Sequence, residues 1–308
     1  MTLEERCASA DPEVRRIAIL ELADFADDHE IPLLTRALRD PSPAVRLEAA
    51  AALKAVETEA AVTGLVAALQ DEDEAVRRAA AVSLAELKDS AAAAWLIPAL
   101  AVAGPQTRAP ILRALRELRS GDSAPSALTS LNDPDPEVRR EAVGVLGYLK
   151  HAGAIDALLK LALTDPIEEV RRASVGALGF CVQVPNVAQK LVLALDDSSW
   201  QVRQEAAATL GKAPKGTGAE PLLARLDDPY WQVRLQAARS LGRLGDRRAT
   251  APLVGLLAHT ISNLRKEAAL ALGELGDPAA LDALQVAAGD GDPEVRKSAR
   301  LALTQIQA

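Results

Sequence analysis

Asp227-Asp228-Pro229-Tyr230-Trp231-Gln232-Val233-Arg234 opens a sentence that this chain writes many times over. An alanine-rich run follows, then Leu241-Gly242-Arg243-Leu244-Gly245-Asp246, then an apolar run closing at Leu253-Val254-Gly255-Leu256-Leu257. The Val-Arg pair recurs at Val14-Arg15, Val45-Arg46, Val76-Arg77, Val138-Arg139, Val170-Arg171, Val202-Arg203 and Val295-Arg296, with diverged copies at Thr107-Arg108 and Leu264-Arg265. Successive copies stand 31 or 32 residues apart. So regular a period marks a solenoid, in which each unit buries its apolar face only against its neighbours.

Within one period the residues read as two helices. Val233, Ala237, Leu241 and Leu244 recur at helical spacing and give the first helix one apolar face. Asp228 is the expected N-cap, its carboxylate accepting orphan backbone N–H groups, with Pro229 in the first turn where no N–H is needed. Gly245 stands where a glycine of positive φ ends a helix. Asp246 can cap the second helix, whose inward residues are Ala249, Leu253, Val254 and Leu257. Gly242 lies inside the first helix, where glycine costs roughly 1 kcal/mol against alanine, so it predicts a close approach by a neighbour. No stretch alternates with period two for long enough to suggest a strand.

The pattern Asp-Pro-x-x-Val-Arg, then Ala-Ala-x-x-Leu-Gly-x-Leu-Gly-Asp, resembles the short HEAT-like repeat of bacterial proteins, including the phycobilin-lyase group. The resemblance covers essentially the whole chain. It implies an all-α, right-handed superhelical α-solenoid of about nine to ten helical hairpins. On this reading residues 1–308 are a single array. Residues 1–10 form a partial N-terminal cap with Leu3 and Cys7 inward, 11–102 hold repeats 1–3, and 103–132 an irregular repeat 4. Residues 133–289 hold repeats 5–9, and 290–308 a C-terminal capping helix. Repeats 5–9 carry Leu-Gly in the first helix, as at Leu146-Gly147 and Leu272-Gly273, where repeats 1–4 carry Leu22-Ala23, Leu53-Lys54, Leu84-Ala85 and Leu115-Arg116. That change of style reads either as two sub-arrays with a change of curvature near residues 101–125 or as independent drift of the repeats.

Composition narrows the function. Aromatics make up only 2% of the chain against 49% hydrophobic residues, which describes an aliphatic helical core. A net charge of −8 argues against nucleic acid as a partner, since that binding relies on cations neutralising phosphates. Cys7 and Cys181 are far apart in an elongated array and fit a reducing compartment. The start has no apolar signal segment and no run approaches a membrane span, so a cytoplasmic monomer is expected. His29, His151 and His259 fall in three separate repeats, so no triad or metal cluster is visible. His29, within Asp27-Asp28-His29-Glu30, reads as a solvated loop. Gly211-Lys212-Ala213-Pro214-Lys215-Gly216-Thr217-Gly218 lacks the lysine of a phosphate loop and follows a helix, not a strand. No catalytic residue, cofactor or metal is expected.

The remaining candidates are contact residues. Arginines Arg139, Arg171, Arg203 and Arg234, with Asp133, Asp165, Asp197 and Asp228 in the adjoining turns, predict an inter-repeat ladder. Trp200 and Trp231 occupy the same slot in adjacent repeats, so their rings are expected to line up on one edge beside Tyr230, either as interface anchors or packed over the helix starts in place of the usual Pro. Arg113, Arg116 and Arg119 form a basic stripe in irregular repeat 4, whose first helix also contains Pro110. The stripe reads either as an acidic-partner contact or as a solvated face paired with neighbouring acids. On the second helices, the positions 19 or 20 residues past each Val are Leu33, Gly64, Trp95, Ser126, Ala157, Lys190, Pro221, Pro252 and Ala283. They predict a smooth, charge-poor surface suited to a helix or folded protein, with Trp95 its one large aromatic.

Three functions compete. The first is a non-enzymatic protein-interaction scaffold. The second, from the resemblance, is a chaperone or subunit in chromophore attachment. The third is an enzyme. Deoxyhypusine hydroxylase resembles this chain in its repeats and holds iron through His-Glu pairs. The matching places here are Leu47-Glu48, Arg140-Glu141, Gln204-Glu205 and Lys266-Glu267, which keep the Glu and lack the His. HEAT-like DNA glycosylases need a cationic groove, which this composition does not supply.

Overall fold

The landmark valines are the bottom of the core. Val45, Val76, Val138, Val170, Val202, Val233, Leu264 and Val295 are at most 1% exposed. Helical spacing carries each stripe onward through alanines and leucines such as Ala237 and Leu241, both fully buried. The structure is a computed structural model and describes residues 2–23, 30–54 and 56–307. Its described residues contain 20 α-helices and no strand. His29, Asp27 and Asp28 lie outside the described residues.

The chain divides into two units, residues 1–151 and 152–308. The boundary falls inside the fifth hairpin rather than in irregular repeat 4. The first unit begins with a short helix, Leu3–Cys7, then holds the first helices Pro12–Ala23, Pro43–Ala52, Glu74–Ala85, Pro105–Leu118 and Pro136–Tyr148. Each packs on the next. Its second helices are Ile31–Ala37, Glu59–Ala68, Ala93–Val102 and Ala124–Ser130. The second unit opens with the second helix Ile155–Thr164 and stacks the first helices Glu168–Ala177, Trp200–Leu210, Trp231–Leu244, Ser262–Leu275 and Pro293–Gln307. Pro185–Leu191, Ala219–Ala224, Thr250–Leu256 and Leu281–Ala287 are its other second helices.

Local expectations are met at some ends and shifted at others. Gly245 ends its helix with φ 68°, and Asp246 caps the next turn by accepting the Arg248 N–H at 3.0 Å. Asp228, however, is not the N-cap. The helix starts at Trp231 with Tyr230 as cap, and Asp228 accepts the Tyr230 N–H two residues on, at 2.9 Å. Where repeats also carry Asp one place before the helix, as at Asp73 and Asp135, that residue does the capping. The N-terminal helix has only five residues, too few for an inward stripe, so Leu3 is 39% exposed and Cys7 half-buried. Pro110 sits inside Pro105–Leu118. The N–H it lacks would have gone to the Gln106 carbonyl, and Gln106 is exposed, so water can serve that oxygen.

Asp228 is diverted from capping by the ladder, whose register differs from the expected one. Each ladder arginine donates Nη1 to carbonyls of its own turn and grips the carboxylate of the following repeat. Arg203 donates Nη1 to the Asp197 carbonyl at 2.8 Å, and Nε and Nη2 to Asp228 at 2.7 and 3.0 Å. Arg15–Asp40, Arg46–Asp71, Arg171–Asp197 and Arg265–Asp290 repeat this two-pronged grip. In the Arg108–Asp133 rung Nε lies 2.7 Å from the carboxylate but off the bonding axis, so Nη2 alone donates, at 3.0 Å. Each such aspartate also fixes its own turn through the N–H two residues later, so one side chain orients an elbow and bonds two repeats.

At three of its five places the Leu-Gly signature has a packing cause; at Gly179 a Cβ would meet only the Lys212 Nζ, at 3.6 Å. A Cβ on Gly242 would lie 2.8 Å from Ala271 Cα, one on Gly273 2.9 Å from Ala302 Cα, and one on Gly211 2.7 Å from Ser240 Cβ. In each case glycine meets a small residue two places earlier in the next first helix. Ser240 uses the closeness to donate its hydroxyl to the Ala207 carbonyl at 2.8 Å.

Candidate functional site

The second unit carries an aromatic edge at the starts of two adjacent first helices. Trp200 is the first residue of its helix, and Tyr230 caps the next one in extended backbone. The cap position turns the Tyr230 ring back toward the preceding repeat. It stacks on Trp200 with centroids 5.6 Å apart and planes 14° from parallel. The ring stacked on Trp200 is therefore Tyr230, not Trp231, because Trp231 lies one residue further on and already inside its helix. Arg203 places its guanidinium 5.6 Å from the Tyr230 centroid while holding Asp228. Tyr230 remains 45% exposed; Trp200 and Trp231 are half-buried. The result is an exposed aromatic face braced on one side chain by stacking and on another by a buried ion pair. A ring already fixed in this way loses little side-chain freedom on binding.

The basic stripe of repeat 4 is largely neutralised within the chain. Arg113 reaches Glu137 at 2.9 Å and Glu141 at 3.1 Å, and Arg116 reaches Glu141 at 2.9 Å. Burial opposes the Arg113 charge, but Glu141 and Glu137 outweigh it and raise its pKa. Arg119 ends the helix with φ 53°, and with Arg116 it lies over the Tyr148 ring, at 5.2 and 5.9 Å. Glu141, only 3% exposed, is the hub of this cluster, with Arg140 as a third partner. Sequence reasoning missed that role. The signal was there as a 28-residue spacing, since Arg239 holds Glu267, also buried, in the same register. Glu141 and Glu267 are two of the four glutamates at the hydroxylase positions, and both are engaged by arginine.

On the second helices, the positions expected at the surface are mostly half-buried; Lys190 and Pro252 alone are exposed. The exposed ridge stands one place earlier and three places later in each helix. In the first unit it runs Pro32, Arg36, Thr63, Ala67, Ala94, Pro98, Pro125 and Thr129. In the first unit this ridge is charge-poor, with Arg36 its one charged residue, but rotated by about one residue from the expected positions; in the second unit the same register carries Asp156, Lys160, Glu220 and Asp282. Trp95 is half-buried beside the first unit's ridge, in the helix Ala93–Val102. Among the described residues no group of three or more His, Cys, Asp or Glu could hold a metal, and no helix is long and apolar enough to cross a membrane.

Comparison with known proteins agrees with this geometry. The family described as HEAT repeats matches residues 1–71, 124–211 and 219–304, and the PBS lyase HEAT-like repeat matches 76–101. No curated protein matches. Among solved structures, an engineered protein is 24% identical, with 99% of this chain and 98% of that one covered and a TM-score of 0.57. Escherichia coli YibA is 21% identical over 96% of this chain and 98% of its own, with a TM-score of 0.54. Kap95p, solved with RanGDP, is 15% identical with a TM-score of 0.69; it covers 99% of this chain, which spans 49% of Kap95p. These likenesses are of fold, a scaffold that commonly binds proteins. With ladder, hairpins and matched residues in agreement, the chain belongs to the family of HEAT repeats.

Proposed function

We propose that the protein is a non-enzymatic interaction scaffold that holds a partner protein against the aromatic edge of its second unit. The observation that carries this is the Tyr230 ring, 45% exposed yet stacked on Trp200 and covered by Arg203. Monomeric surfaces rarely spend rigid aromatics on solvent, and such residues dominate interface energies. The scarcity of aromatics in the chain sharpens the point. The charge-poor second-helix ridge of the first unit, with Trp95 beside it, offers a second surface for the same partner class. Kap95p is named with RanGDP, which supports reading this fold as a protein-binding frame. The glycosylase alternative is not favoured, because Arg113 and Arg116 spend their charge on Glu137 and Glu141.

The test is binding, read separately from folding. Tyr230→Ala and Trp231→Ala should each leave the melting temperature nearly unchanged and weaken the partner complex by about 2 kcal/mol, roughly 30-fold. The partner is first captured from native lysate at high salt. Unchanged affinity in both variants would sink the reading, and so would a captured species that proves to be nucleic acid or a bilin.

A further inference from the structure

The rung carboxylate belongs five residues before each Val landmark, and Asp fills that place in all repeats but three, which have Ser9, Val102 and His259. Ser9 follows no earlier rung. At His259 the imidazole takes over the turn, its Nδ1 accepting the Ile261 N–H at 3.0 Å. Arg234, whose rung this would be, has abandoned the ladder pose and leaves its buried Nε without an acceptor. At Val102 nothing takes over. Val102 closes the helix Ala93–Val102, is 86% exposed and offers no acceptor.

Arg77 nevertheless keeps the rung pose. Its Nη1 donates to the Asp71 and Glu72 carbonyls at 2.7 and 3.0 Å, just as Arg46 Nη1 reaches Asp40 and Pro41 at 2.9 and 3.3 Å. In five rungs of this chain Nε and Nη2 grip two carboxylate oxygens at 2.7–3.0 Å. In Arg77 the same two donors have no acceptor among the described residues, and neither is closed off from water. Arg77 lines an open cleft of about 360 Å³ with Leu69, Pro105, Pro110, Asp135 and Glu137. The two acids in its wall are already committed. Asp135 accepts the Glu137 N–H at 2.8 Å, and Glu137 pairs with Arg113 and Arg140.

We propose that Arg77 is a receptor for a carboxylate of a partner protein, an Asp or Glu side chain that completes the missing rung from outside. The fork is held in place by its own turn, so a bidentate ligand finds its geometry prepared. The chain itself is the precedent, since the five two-pronged ladder rungs each hold an aspartate side chain and Arg239 grips Glu267 with the same two donors. That the carboxylate comes from a protein rests on the scaffold reading; the receptor does not.

The test is made on the full chain labelled with nitrogen-15, following arginine Nε–H resonances during titration with sodium acetate against sodium chloride of equal ionic strength. Arg77→Lys, which keeps the charge and loses the fork, assigns the resonance. The Arg77 signal should move downfield and saturate at millimolar acetate, while Arg46, whose fork is filled, stays still. A shift that does not saturate, or that chloride reproduces, overturns the receptor and leaves the scaffold reading standing. Two peptides then separate the sources. One is capped at both ends with a central aspartate, and the other has a free C-terminus and no acidic side chain. Response to the first supports the side-chain assignment, and response to the second alone overturns it.

Discussion

Asp228→Ala should cost about 3–5 kcal/mol of stability, the range for removing one partner of a buried ion pair. The Asp228 side chain is 1% exposed and that of Arg203 9%, and the substitution leaves the guanidinium in a dry site without its carboxylate, with Nε and Nη2 stranded. It also strips the Tyr230 N–H of its acceptor. Arg203→Met combined with Asp228→Leu should cost far less than either single change, because no charge is then stranded. Urea melts of the three variants decide this; equal losses for single and double would refute it.

The ladder also sets an acid limit. Burial pushes the Asp228 carboxyl up, but the Arg203 hydrogen bonds, the Tyr230 N–H and nearby charges outweigh it and hold the pKa below the ordinary range. Asp40, Asp71 and Asp197 show the same balance. For Asp290 the Arg265 hydrogen bond is the largest influence and the direction is the same. A depressed folded-state pKa means stabilisation that is full above the unfolded value, about 3.9, and is lost as pH falls through the folded value. Melts should therefore be flat down to about pH 5 and fall steeply below it. A stability curve level to pH 2 would refute the argument.

Gly242→Val should destabilise by about 3 kcal/mol through overpacking. Its first added carbon would sit 2.8 Å from Ala271 Cα, which is backbone and cannot swing aside, and 2.8 Å from Glu274 Oε2. Even Gly242→Ala, which gains up to about 1 kcal/mol of helix propensity elsewhere, should lose stability here. Gly255 is the control. It lies in the helix Thr250–Leu256 with nothing within 4 Å of where a Cβ would stand, so Gly255→Ala should stabilise. Opposite signs for the two alanines are the expected result, and the same sign would contradict the packing account.

These sites show what sequence could and could not convey. Period and helical spacing come from core burial, which every repeat obeys, so hairpins, helix count and the close approach at Gly242 were readable. Asp228 reads as a cap in sequence because a cap and a rung use the same residue type. Only the neighbouring repeat, 25 positions away, distinguishes them. Tyr230 against Trp200 turned on whether a ring sits on the cap or in the first turn, a one-residue difference in helix start. The second-helix ridge was off by one for a related reason. Short helices with 3-10 turns at their ends, such as Arg247–Ala249, change the phase that ideal counting assumes.

The ladder leaves one length free and fixes another. From rung aspartate to the next Val the distance is five residues in each of the seven repeats that have the aspartate. From arginine to the following aspartate it is 25 positions at Arg203–Asp228 but 26 at Arg171–Asp197, and both grips close at 2.7 Å on Nε. The hairpin between rungs therefore absorbs added chain without disturbing the joints. Residues 213–217, at the tip of the seventh hairpin, form a turn outside both rungs. A foreign loop, such as an epitope or a fluorophore-labelling tag, should be accepted there, whereas one extra residue in an elbow should break the rung at that joint.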